Sequence, residues 1–144
     1  MRQRGSAALE LALGMAVLVV PAVMVVASFS VWVEARTFVR AASAEAARAA
    51  VLADGDPAAA GSIVVADMAA GRGFGAAGVR VAMCGGPEWE AGAGSGTCVL
   101  VRGGFVTAEV SVDVPLVATP WGEVGGVTVS AAHAEPVDAY RSLP

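Results

Sequence analysis

The sequence predicts an α+β chain in which one long N-terminal helix packs on a small antiparallel β-sheet. Three observations predict it. Leu11 to Val33 carries no charged residue. From Glu34 to Ala53 the apolar spacing stays helical but becomes amphipathic. Beyond Gly78 the apolar period changes to two, the repeat of a strand with one wet face.

The first element is the uncharged run. About 20 apolar residues cross a bilayer, and Leu11 to Val33 would extend roughly 35 Å as a helix. Residues 6–33 therefore read as a transmembrane helix. Arg2 and Arg4 favour a cytoplasmic N-terminus, whereas Arg36 and Arg40 oppose that orientation. The alternative is a cleaved secretory signal, with Val25-Val26-Ala27 as the small-residue site and Ser28 as the new start. Glu10 at the junction, and a helical pattern that continues beyond Ala27, favour the span. Pro21 interrupts the run and predicts a kink, while Ser28 and Ser30 can bond back to their own helix.

Residues 34–55 continue the same rod. Phe38, Ala42, Ala46, Ala49 and Leu52 form an apolar stripe, and Asp54-Gly55-Asp56-Pro57 ends the helix. Within residues 56–78, Asp56 caps a short second helix, with Pro57 at its first position, running to about Ala70. A glycine-rich linker follows.

Residues 79–144 read as an antiparallel β domain. Val79, Val81 and Met83 alternate with Arg80, Ala82 and Cys84. The clearest strand is Val106 to Val114, its valines and Ala108 facing one way and Thr107, Glu109, Ser111 and Asp113 the other. Pro115 ends it or marks an edge. Val124 to Ala134 and Cys98 to Arg102 are two further strands. The amphipathic half of the long helix is the expected cover for the apolar face.

The chain has 144 residues, 56% hydrophobic and 15% charged, with a formal net charge of -4. That composition suits one small domain with an anchor and a thin core of alanine and valine. All nine basic residues are arginine, a coding bias without functional content. No basic stripe interleaved with aromatics occurs, so nucleic acid is not expected as a partner. Gly73-Phe74-Gly75-Ala76-Ala77-Gly78 matches a dinucleotide fingerprint as text, but a helix precedes it and a strand follows, the reverse of what that fold needs. His133 is the only histidine, so neither a zinc set nor a catalytic triad is recognisable. No enzyme activity, cofactor, metal or small-molecule substrate is expected. If the apolar run crosses a membrane, Cys84 and Cys98 can lie in an oxidising space and pair; two free thiols are the alternative. Trp121 reads either as a loop anchor over the sheet or as an exposed contact for a neighbouring subunit.

A carboxylate at the border of an apolar span is costly unless it meets a cation. Glu10 holds that position, five residues past Gly5. The tract Arg4-Gly5-Ser6-Ala7-Ala8-Leu9-Glu10, the run containing Pro21, and Ala41-Ala42-Ser43-Ala44-Glu45-Ala46-Ala47-Arg48-Ala49-Ala50 resemble the TadE-like family, pseudopilins of the tight-adherence (Flp) pilus system. The resemblance covers the first third and extends loosely to Val127-Thr128-Val129-Ser130 and Ala132-His133-Ala134-Glu135. Leu11 departs from it, since many members carry an aromatic there.

The resemblance implies a pilin-like fold and a leader of residues 1–5, cut between Gly5 and Ser6 by a membrane prepilin peptidase on the cytoplasmic side. Ser6 would then be the mature N-terminus, and Glu10 would pair with the free amine of an adjacent subunit. It implies a minor structural subunit of pilus assembly, not an enzyme. Its partners would be the membrane, the prepilin peptidase, other pilins and pseudopilins, and the assembly machinery. It would be single-pass, with its C-terminal domain outside the cytoplasm or in a pilus. A membrane-anchored or secreted binding module is the alternative function.

Overall fold

The computed structural model describes residues 6–75, 78–84, 89–92, 98–119 and 121–140. Gly5 and Pro87 lie outside them. The element order is α1 (Ser6–Leu52), α2 (Pro57–Gly71), β1 (Val79–Met83), β2 (Trp89–Glu90), β3 (Phe105–Thr119) and β4 (Gly122–Pro136). The α+β class expected from the sequence is the class observed.

Helix α1 is one element of 47 residues with Pro21 inside it, a rod of roughly 70 Å. Its two halves differ in surroundings. The first is bare: Leu18 is 75% exposed, and Leu11, Leu13, Val23 and Val26 are likewise uncovered. The second is embedded: Ala35, Phe38, Val39, Ala42, Ser43, Ala46, Ala47, Ala50 and Val51 are all buried. These positions repeat at three and four residues, the spacing of one helical face. The expected stripe is thus correct through Ala46 and wrong at its end, because Leu52 is 68% exposed and Val51 takes the core position.

Helix α2 closes over the same turns. Asp56 caps it: its carboxylate accepts the N–H of Ala58 at 2.9 Å and of Ala59 at 3.3 Å, with Pro57 in the first turn. Gly61 brings the helices together. A Cβ there would stand 3.0 Å from the Ala46 carbonyl oxygen and 2.9 Å from Met83 Cε.

The sheet is antiparallel in the order β2-β1-β3-β4. The inner face of β3, Val106, Ala108, Val110, Val112 and Val114, is buried against the helices. Asp113 lies on the outer face, where Arg80 donates to both its oxygens at 2.9 and 3.2 Å and Thr128 donates at 2.6 Å. The Thr128 hydroxyl, then the Arg80 guanidinium, hold the Asp113 carboxyl below its ordinary pKa, while desolvation opposes them. What this cluster contributes to stability is present above the ordinary carboxylate range and is lost as pH falls through the lowered value.

Of the two readings of Pro115, the edge is the one observed: strand β3 runs past it to Thr119. Beyond Val112, β1 no longer flanks it, so a proline costs no ladder bond on that side. Contrary to expectation, Cys98 to Arg102 forms no strand, and the short β2 takes the fourth place. Cys98 and Leu100 face the core while Val99 and Val101 are exposed, but the segment pairs with no strand and turns at its end, with Gly104 N–H on the Val101 carbonyl at 2.9 Å. In β4, Gly125 has φ 68°, a conformation that favours glycine, and a Cβ there would stand 3.2 Å from Leu116 Cβ.

Cys84 and Cys98 are joined, 14 residues apart, with Cα atoms at 5.5 Å. Closing a loop of that length removes about 3 kcal/mol of unfolded-state freedom in the chain-entropy account. Replacing both cysteines by serine should lower stability by about that amount, read as the drop in thermal midpoint of the detergent-solubilised chain. An unchanged midpoint would show that the link contributes nothing.

Candidate membrane and assembly interface

Of the residues singled out in the sequence, Ser6, Glu10 and Pro21 lie on α1, while Cys84, Cys98, Trp121 and His133 belong to the sheet domain. Ser6 is the first residue of α1 and Glu10 stands one turn further on, exposed. Leu9, Leu11 and Leu13, on the same turns of helix, are exposed and apolar. Glu10 makes no hydrogen bond or ion pair with the described residues. A carboxylate in that setting is unsatisfied in a bilayer until something cationic reaches it. Gly5, the other half of the expected cut site, lies outside the described residues.

Pro21 lacks the N–H that would bond the Val17 carbonyl, one turn back. Ser28 and Ser30 donate to the Met24 and Ala27 carbonyls, both at 2.8 Å, as expected. Ser28 is only 4% exposed. It is where protein begins to cover α1, with Met24 partly covered one turn earlier.

The cover is the far end of the β3–β4 hairpin. Val25, Phe29 and Trp32 of α1 meet Leu116 and Val117 of β3 around an apolar cavity of about 270 Å³. The Trp32 indole donates to the Pro115 carbonyl at 2.9 Å. The sheet domain therefore reaches below Val33, the boundary read from the sequence, by about two turns of helix. The turn beyond, which carries Trp121, is 87% exposed at that residue. Of the two readings of Trp121, packing over the sheet is excluded.

Just past the hairpin contact, Trp32, Arg36 and Arg40 form one wall of an open groove of about 460 Å³. The other wall is Val127 to Ser130 of β4, the edge strand of the sheet. His133 is exposed on β4 with Nε2 3.3 Å from a Glu135 carboxylate oxygen. Among the described residues no group of three His, Cys, Asp or Glu side chains is placed to hold a metal ion.

By length and composition, α1 is able to cross a membrane. Comparison with protein-family models, curated proteins and solved structures returns no match.

Proposed function

We propose that this chain is a TadE-like minor pseudopilin, a membrane-anchored structural component in the assembly of tight-adherence pili. One observation carries the reading most directly. Among the described residues Glu10 has no partner, and it stands on a bare apolar helix that runs unbroken into a covered, disulfide-linked α+β domain. A soluble domain has no use for such a helix, and a simple anchor has no use for a carboxylate inside its border. A bundle of like helices accounts for both, because packing buries the apolar flanks and a neighbour's ammonium answers the acid.

On this reading Met1 to Gly5 is removed by a prepilin peptidase on the cytoplasmic side. The new amine at Ser6 becomes the cation that Glu10 of an adjoining subunit requires. The sheet domain lies on the outer side, where the Cys84–Cys98 link is stable. The protein performs no chemistry itself; its partners are the membrane, the peptidase, and other pilins and pseudopilins.

Glycine at the cut site lets the peptidase approach the backbone closely. Gly5→Leu should therefore leave the precursor untrimmed, its mass greater by the leader in intact-mass measurement of membrane extracts. A mature mass unchanged from wild type would refute the assigned cut.

A further inference from the structure

The apolar cavity and the arginine groove share one residue, Trp32. Val25, Phe29, Trp32, Arg36 and Arg40 follow one another at four, three, four and four residues, so they line a single face of α1. That face changes along its length from oil to cation. Arg36 and Arg40 are exposed, one turn apart, and neither guanidinium meets a carboxylate or other acceptor among the described residues. Both also run against the usual distribution of basic residues about a membrane span, which two unpaired cations need a reason to do.

We propose that this face binds one anionic phospholipid of the outer leaflet. Its phosphate lies between Arg36 and Arg40, and an acyl chain enters the cavity of Val25, Phe29, Leu116 and Val117. The proposal rests on the reading that α1 spans the membrane with the sheet domain outside.

Arg36 and Arg40 stand about 5 and 10 Å beyond Val33 along the helix, on the side of the cavity away from the bare stretch of α1. Side chains on a helix lean toward its N-terminus, here back toward the membrane. Two guanidiniums one turn apart suit a phosphate, which takes paired N–H donors. Trp32 sits at the boundary with its ring fixed by Pro115, the position that indoles favour in membranes. The β4 wall adds the outward backbone donors of an edge strand. The cavity below continues directly from the bare, apolar stretch of α1, so an acyl chain enters it without leaving apolar surroundings. A second copy of this chain would have to bring an acidic group to the arginines as well as an apolar one to the cavity.

The test uses the full chain purified from membranes in mild detergent. Carbonate extraction comes first: release into the soluble fraction would end the membrane reading itself and, with it, this proposal. With the chain retained, native mass spectrometry follows adducts of phosphatidylglycerol, phosphatidylcholine and inorganic phosphate. The expected result is a retained phosphatidylglycerol, weaker phosphatidylcholine and no adduct of phosphate alone. The variant R36Q/R40Q should lose roughly tenfold in phosphatidylglycerol retention, the scale of one or two charge-assisted bonds. R36K/R40K should recover part of it, and Leu116→Ser should weaken it through the acyl end. Both arginines are exposed, so the variants keep the wild-type circular dichroism. Equal retention by R36Q/R40Q and wild type would overturn the proposal. So would a dimer of this chain that R36Q/R40Q dissociates, since the groove would then hold a second copy.

Discussion

Phe38→Ala should destabilise the sheet domain by about 3–5 kcal/mol, the range for removing a fully buried phenyl ring. Phe38 is 0% exposed and is the largest of the fully buried side chains; most of the others are valine. Its ring stacks on Phe74 with centroids 4.7 Å apart, and the Arg72 guanidinium carbon is 6.0 Å from its centre. One ring thus ties α1 to the segment that follows α2. The rest of the core is mostly alanine and valine, short side chains that fill little of the space left behind. The measurement is thermal unfolding of the detergent-solubilised chain by near-ultraviolet circular dichroism. The midpoint should fall by more than about 10 °C for a domain of this size. A fall of only a degree or two would mean that the core does not depend on this contact.

Glu10→Ala is expected to have the largest effect on function. The carboxylate lies four positions beyond Ser6 on exposed, apolar helix, so its loss changes nothing within the folded domain. Trimming and domain stability should stay as they are. Assembly should not. Removing one member of a buried ion pair costs about 3–5 kcal/mol, because the other charge is left without a partner. On that scale, recovery of the chain in sheared pilus fractions should fall roughly a hundredfold or more. The assay is immunoblotting of pili against membranes from the same cells. Wild-type recovery of the Glu10→Ala variant would remove the pairing from the account.

The local elements were readable because local chemistry determines them. Asp56 and Pro57 mark the start of α2 through the cap that the chain forms there. The alternation from Val106 to Val114 shows directly which side of β3 is wet. The rod of α1 followed from a helical pattern that continues beyond Ala27 to Leu52, with Pro21 as its one internal breaker. What the sequence left open or misread depends on tertiary pairing and cover. Whether Pro115 ends its strand or marks an edge is decided by β1, whose pairing stops at Val112. Cys98 to Arg102 has strand-like residues, but no neighbouring strand to pair with. Leu52 lost its place to Val51 because tertiary cover, not the helical wheel, decides the last turn.

Glu10, Pro21 and the two cysteines of the candidate site were legible as residues, while the reach of the hairpin was not. Hydropathy shows that Met24 to Val33 is apolar; it does not distinguish cover by lipid from cover by protein. Only the fold shows Leu116 and Val117 against Val25 and Phe29, and so joins the apolar cavity to the arginine groove through Trp32. Arg36 and Arg40, which argued against the orientation in the sequence, gain a place in the structure for the same reason.

The most direct measurement is the mass of the mature N-terminal peptide from pilus-producing cells. The account predicts a chain beginning at Ser6, with Glu10 as its fifth residue. An intact Met1 in cells that assemble functional pili, or a chain beginning at Ser28, would contradict it.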